Sequence, residues 1–233
     1  MPKLFARIKN QKLYFYIILV VFYLFFYPDL YSLDDFVTVW GESPSEDFYI
    51  QFTAEEYDRN KAVNTALEEI RVLLSYMVFG CEFEYQVADK RRNMDSDLQL
   101  QFLDQIKKGD PGLVIWQTDE KGMIFRVKSI FNLSQFQKKY IESWHTTTAN
   151  KSNGVGTNTI QEGWLAGRNK GRKKAFENAI LHAARKKYKA KPLFLKGKFL
   201  LLESPLTSIR QGEFQTSVRI LVVFNSAEYE YYK

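Results

Sequence analysis

Few residues in this sequence could do chemistry, and their spacing decides what each could do. Glu82 and Glu84 lie on one side of an alternating run and could form a carboxylate pair for acid–base work or hold a cation. Phe83, Tyr85 and Val87 on the other side make the two acids the solvated face of a half-buried strand, the reading adopted here. Cys81 joins that apolar side and reads as core. As the single cysteine it excludes an intramolecular disulfide, and with only two histidines the chain has little for a metal cage. His145 has no neighbouring Ser or Cys that would make a nucleophile, and His182 sits on a helical pattern beside Ala183. Gly154-Val-Gly156 lacks the third glycine and the lysine of a phosphate loop. The sequence therefore predicts no enzyme, no catalytic residue, no cofactor and no metal site.

One segment carries a strong charge signal. Arg168, Lys170, Arg172, Lys173, Lys174, Arg185, Lys186 and Lys187, followed by Lys189 and Lys191, enclose a single acid, Glu177. Arg168 to Lys174 fall in the N-terminal half of a predicted helix, where cations oppose the helix dipole, so something besides helix stability holds them there. The first eight are the candidate residues for binding an anionic partner: lipid headgroups, envelope polymers or an acidic protein face.

The N-terminus points to export. Lys3, Arg7, Lys9 and Lys12 precede an uncharged run from Leu13 to Tyr27, about 22 Å long as a helix, against about 30 Å for a bilayer's hydrocarbon core. Residues 1–32 thus read as a signal peptide or a signal anchor, with the positive charges cytoplasmic and the rest translocated. Removing them takes away four cations and one anion, so the formal charge of +6 falls by three. The expected location is the periplasm or cell envelope of a bacterium, inner-membrane anchored if the segment is not cleaved. Export argues against a nucleic-acid partner. With 45% hydrophobic and 26% charged residues, the exported part can bury real cores and is neither disordered nor polytopic.

The elements that position these residues follow from periodicity. Phe36 to Trp40 predicts a strand, Ala54 to Met77 a helix ended by Gly80, and Cys81 to Ala88 a strand. Asp95 to Lys107 reads as a helical insertion. Leu113 to Trp116 and Met123 to Ile130 flank Asp-Glu-Lys-Gly as a hairpin. A helix over Leu133 to Tyr140, a weak strand over Ile141 to Thr148 and a loop over Ala149 to Asn158 follow. Glu162 to Lys189 is a long helix with Ala175, Ala179 and Ala183 in one column, slim enough to approach a sheet closely. Leu193 to Glu203 and Glu213 to Phe224 form a final hairpin.

Arg59-x-x-Ala62-x-x-x-Ala66-x-x-x-Ile70 matches Arg172-x-x-Ala175-x-x-x-Ala179-x-x-x-Ala183. The match suggests two related modules of an α+β fold, each an antiparallel sheet packed on a long Ala-rich helix, after an N-terminal apolar helix. The expected boundaries are 33–131 for a first β-α-β-β module with its helical insertion near 95–108, 132–161 for a connector, and 162–233 for a second module.

Phe36-Val-Thr-Val-Trp-Gly-Glu-Ser43, the Arg/Ala helix ending near Ser75, and Trp116-x-Thr-Asp-Glu-Lys-Gly-x-x-x-Arg-Val-Lys together resemble the small exported lipoproteins related to the flagellar outer-ring components FlgP and FlgT. The resemblance covers roughly residues 36–131 and recurs more loosely over 168–224. It implies dodecin-like β-α-β-β units without enzymatic activity that assemble in the cell envelope. Those lipoproteins carry a cysteine directly after the apolar run, and here the first cysteine is Cys81. The expectation is an exported, membrane-proximal structural or assembly component, flagellum-associated by resemblance, that self-associates or binds envelope proteins. The alternative is a peripheral module that reads anionic polymers or lipids through the basic helix.

Overall fold

A computed structural model describes residues 35–53, 55–146, 148–188 and 192–229. The expected signal peptide or anchor over 1–32 lies outside the described residues. Among those described, no helix is long and apolar enough to cross a membrane.

The fold is α+β: two antiparallel sheets, each backed by a long helix. In chain order the elements are β1 (Phe36–Pro44), α1 (Glu46–Phe52), α2 (Arg59–Val78), β2 (Cys81–Gln86), β3 (Asp97–Phe102), β4 (Leu113–Lys121), β5 (Ile124–Asn132), α3 (Gln135–Thr146), β6 (Asn150–Thr159), α4 (Trp164–Lys187), β7 (Phe194–Leu201), β8 (Thr207–Arg210) and β9 (Glu213–Glu228). The first sheet has the order β1-β5-β4, the second β3-β2-β7-β9-β6, with β8 also pairing β9.

Local chemistry sets the ends of α2. The Asp58 carboxylate accepts from the backbone N–H groups of Asn60 (2.8 Å) and Lys61 (3.3 Å), satisfying two orphan donors. Gly80, at φ +84°, closes the other end, with its N–H and that of Phe79 both donating to the Ser75 carbonyl. Between them Ala62, Ala66, Ile70, Leu73 and Leu74 are buried on one face.

Helix α4 sits unusually close to β6. A Cβ added at Gly154 would lie 2.0 Å from the Ala175 carbonyl oxygen, and one at Gly156 would lie 2.1 Å from that of Gly171. Ser152, on the same side of the strand, donates its Oγ–H to the Ala179 carbonyl at 2.6 Å. Small residues at every second strand position therefore meet the small column Gly171, Ala175 and Ala179. The first sheet repeats the device, with Gly41 of β1 against Ala66 of α2.

Several expected boundaries move. The segment 95–108, expected as a helical insertion, holds β3. Asp-Leu-Gln-Leu-Gln-Phe alternates, and its ladder with β2 runs from Asp97 opposite Gln86 to Phe102 opposite Cys81. The helix α3 continues through the candidate strand after Tyr140. The expected loop over 149–158 is β6, paired with β9 along its whole length. The connector 132–161 therefore holds a helix and an edge strand. Strands β2 and β3 come from the first half but lie in the second sheet, because β2 pairs β7 from Cys81 opposite Phe199 to Gln86 opposite Phe194. The halves 33–131 and 162–233 thus share a sheet, and from Asp35 onward the chain forms one compact unit.

Candidate functional site

Two carboxylates and three guanidinium groups meet between the first sheet and α4. Glu69 stands three residues after Ala66 and one before Ile70, a spacing that puts it on the buried face of α2. Arg168 and Arg172 are one turn apart on α4, just ahead of Ala175 and Phe176, and share the buried face. Glu42 lies in β1 beside Gly41, and Arg126 stands opposite it in β5.

The hydrogen bonds form a closed set around the two acids. Glu42 accepts from Arg126 Nε at 2.9 Å through one oxygen and from Arg168 Nη2 at 2.9 Å through the other. The Thr207 N–H also donates to this carboxylate. Glu69 accepts from both Arg168 Nη2 and Arg172 Nη2 on Oε1, and from the Glu42 N–H at 2.7 Å on Oε2. Arg168 Nε donates to Thr207 Oγ1 at 3.0 Å, and its guanidinium lies 5.4 Å from the centre of the Trp164 ring. Trp164 in turn packs edge-on against Phe48 and Phe214, so an aromatic cluster closes one side of the charges.

Burial alone would push the Glu69 carboxyl up, but Arg168 and Arg172 more than reverse this and hold it below the usual carboxylate range. Burial also disfavours the Arg168 charge, yet Glu69 and Glu42 outweigh it and raise that group. For Arg172 burial wins, with Arg168 adding to it, and the group is lowered. Such an arrangement holds charge in place; Glu69, pinned ionised by two guanidinium groups, is poorly suited to passing protons.

A cleft of about 1250 Å³ opens beside this cluster. Its walls come from α2, from 108–115 and from α4, and mix aliphatic side chains such as Leu67, Leu113 and Leu165 with charged ones such as Lys61, Glu68 and Asp110. The buried Glu69, Arg168 and Arg172 form its inner end.

The structure divides the eight basic residues singled out in the sequence. Arg168 and Arg172 are buried in the network, so neither faces outward as expected. Their position against the helix dipole is explained by Glu42 and Glu69, which offset that repulsion at close range. Lys170 pairs with Glu162 at 2.7 Å and Lys173 with Asp97 at 3.2 Å, while Lys174 donates to the Thr157 carbonyl at 3.1 Å. Arg185, Lys186 and Lys187 are exposed on the last turn of α4, where cations suit the dipole. The eight therefore form no continuous outer surface. Glu82 and Glu84 are exposed as read, and Glu84 accepts from Lys196 at 2.6 Å. His145 and His182 are exposed; His182 Nδ1 lies 3.3 Å from Ser152 Oγ. Cys81 is fully buried and its thiol is pushed up to about 12 by that burial, which leaves it unreactive at neutral pH.

Fold and site together define a two-sheet α+β protein organised around an internal charge network. A family model matches residues 36–231, and the chain belongs to that family, an uncharacterised one. No curated protein and no solved structure matches, so the likeness to flagellar outer-ring lipoproteins rests on the motifs quoted above.

Proposed function

We propose that this chain is an exported, membrane-proximal assembly component of the bacterial envelope, docking onto other copies or an envelope protein through β4. The observation that carries this reading is the state of the first sheet's two edges. On β1 the outward N–H groups of Trp40 and Glu42 are taken by Ser204 Oγ at 2.9 Å and Glu69 Oε2 at 2.7 Å, so the middle of that edge is covered. Strand β4 pairs only with β5 among the described residues, and it carries Val114, Ile115 and Trp116 at 47%, 52% and 62% exposure. The ladder slips between Ile115 and Gln117, a bulge that re-aims Trp116 and disfavours indiscriminate strand pairing. What remains is an apolar ridge tipped by a tryptophan, the residue type most enriched at interface hot spots.

The charged N-terminus ahead of the apolar run supports export, and the basic-helix alternative is weakened by the internal positions of Arg168 and Arg172. Light scattering on the full chain in mild detergent, with cross-linking in membranes, tests the reading. Trp116→Lys should weaken association by roughly 30-fold, the equivalent of about 2 kcal/mol, and leave the melting temperature unchanged because the position is exposed. An assembly size indifferent to Trp116→Lys and Val114→Lys would refute docking through β4.

A further inference from the structure

The charge network and the β4 ridge leave one aromatic stripe without a role, and it stands where the chain enters the fold. The carbonyl of Asp35 accepts from the Leu133 N–H at 2.9 Å, and its carboxylate pairs with Lys138 of α3. The entry point is therefore fixed beside the first turn of α3. That turn is held by a reciprocal cap, in which the Ser134 N–H donates to Gln137 Oε1 at 2.8 Å and the Gln137 N–H donates to Ser134 Oγ at 3.3 Å. Helix α3 uses part of its circumference for packing, through Ile141 and Trp144. Phe136, Lys139, Tyr140 and Ser143 follow one another at i, i+3, i+4 and i+7 and make a separate stripe. Phe136 is 71% exposed, with its ring 6.4 Å from that of half-buried Tyr140. Glu142 lies about 120° around the helix from Phe136 and stays off the stripe. Phe36, next to the entry point, adds a further exposed aromatic ring. Rings with a neighbouring lysine are the composition of the water–bilayer boundary, where the ring buries its body and the cation reaches the headgroups.

What covers the stripe follows from the chain ahead of it. The apolar run ends at Tyr27, and the eight steps from there to Asp35 reach about 28 Å at most when fully extended. With the run in the membrane, the covalent chain keeps the start of α3 within that distance of the bilayer. Ile50 is as exposed as Phe136 but has no such tie. We infer that α3 rests on the phospholipid bilayer through Phe136, Lys139, Tyr140 and Ser143, with the Phe136 ring seated at the boundary between headgroups and acyl chains. This rests on the membrane-proximal reading above and adds to it the face that meets the lipid, which contains no residue of β4. Burial of a ring, not charge, holds the contact, so it should persist in zwitterionic lipid and at high salt.

Nitroxide labels on single introduced cysteines test this in the full chain, reconstituted in zwitterionic nanodiscs; Cys81 is fully buried and stays unlabelled. The labelled positions are Phe136, Ser143, Glu142 and Arg210, all exposed, so none disturbs the core. Arg210 is the distant control: β6 runs from Asn150, past the end of α3, to Thr159 opposite Glu213, which in turn pairs with Arg210. Labels at 136 and 143 should relax with dissolved oxygen and be shielded from a water-soluble nickel chelate, placing 136 roughly 5–10 Å inside the headgroup level. Labels at 142 and 210 should be open to the chelate. Phe136→Asp should return a label at 143 to water. A label at 136 as open to the chelate as one at 210, equal shielding at 136 and 142, or a label at 143 indifferent to Phe136→Asp would overturn the inference. Shielding lost at high salt would also overturn it, in favour of headgroup attraction through Lys139. A label at 136 shielded from oxygen and chelate alike would overturn it in favour of a protein surface covering α3. In each of these cases a disc-bound chain leaves the membrane-proximal reading standing, whereas a chain that does not stay with the discs would overturn both.

Discussion

At Glu69 two large effects oppose each other, and the guanidinium groups win. Removing the carboxylate would leave Arg168 and Arg172 buried without their shared acceptor, so Glu69→Gln should cost about 3 kcal/mol or more in urea unfolding at neutral pH. The pH dependence has a definite sign. Because the folded protein holds this carboxyl below its unfolded value of about 4.3, its contribution is fully present above that value. It is lost as pH falls from there through the lower folded value. The wild type should therefore lose stability along this acid limb, and Glu69→Gln should show a shallower slope over the same range. An equal slope in both proteins would show that Glu69 does not govern the acid limb. The network was half legible in the sequence. Cations opposing the dipole of α4 marked Arg168 and Arg172 as unusual, and Glu69 falls on the apolar stripe of α2. What the sequence concealed was the pairing, since Glu42 and Glu69 lie 126 and 99 residues from Arg168.

At the level of single elements, β6 shows how composition can mask a strand. Asn, Ser and two glycines read as a loop because these residues usually supply turns. Here Ser152, Gly154 and Gly156 are small for the sake of α4, whose backbone leaves no room for a side chain. Gly154→Ala would place a methyl against the Ala175 carbonyl and the Ala179 nitrogen, backbone atoms that move only with the helix. A loss of about 3 kcal/mol in thermal or urea melts is expected, at the upper end for overpacking. Gly171→Ala is the contrasting case: its added methyl meets nothing closer than 3.7 Å, and in a helix the change should gain about 0.5–1 kcal/mol. Destabilisation by both would mean that helix and strand are not spaced as described. The alanine column of α4 was read correctly because its spacing has one structural meaning. Strand β3 was misread because Leu98, Phe102 and Ile106 fit a helical period as well as Leu98, Leu100 and Phe102 fit a strand, and pairing with β2 decided between them.

For the molecule as a whole, the boundary expected near residue 131 runs across a shared sheet, since β2 and β3 lie in the sheet of β7 and β9. A fragment spanning 33–131 would keep β1, β4, β5 and α2 but lose β7, the neighbour of β2, and both arginines that neutralise Glu69. It should give no cooperative melt by circular dichroism, whereas residues 35–233 should unfold in one transition; a cooperative 33–131 fragment would show that the halves stand alone. Helix–strand spacing could be read locally, but which sheet β2 joins depends on a partner more than a hundred residues away. The last strand among the described residues, β9, is also the one on which β6, β7 and β8 all pair. Without it β6 has no ladder and β7 has only β2. The second sheet of this topology is therefore assembled around its last strand, while the first sheet, β1-β5-β4, needs nothing beyond Asn132.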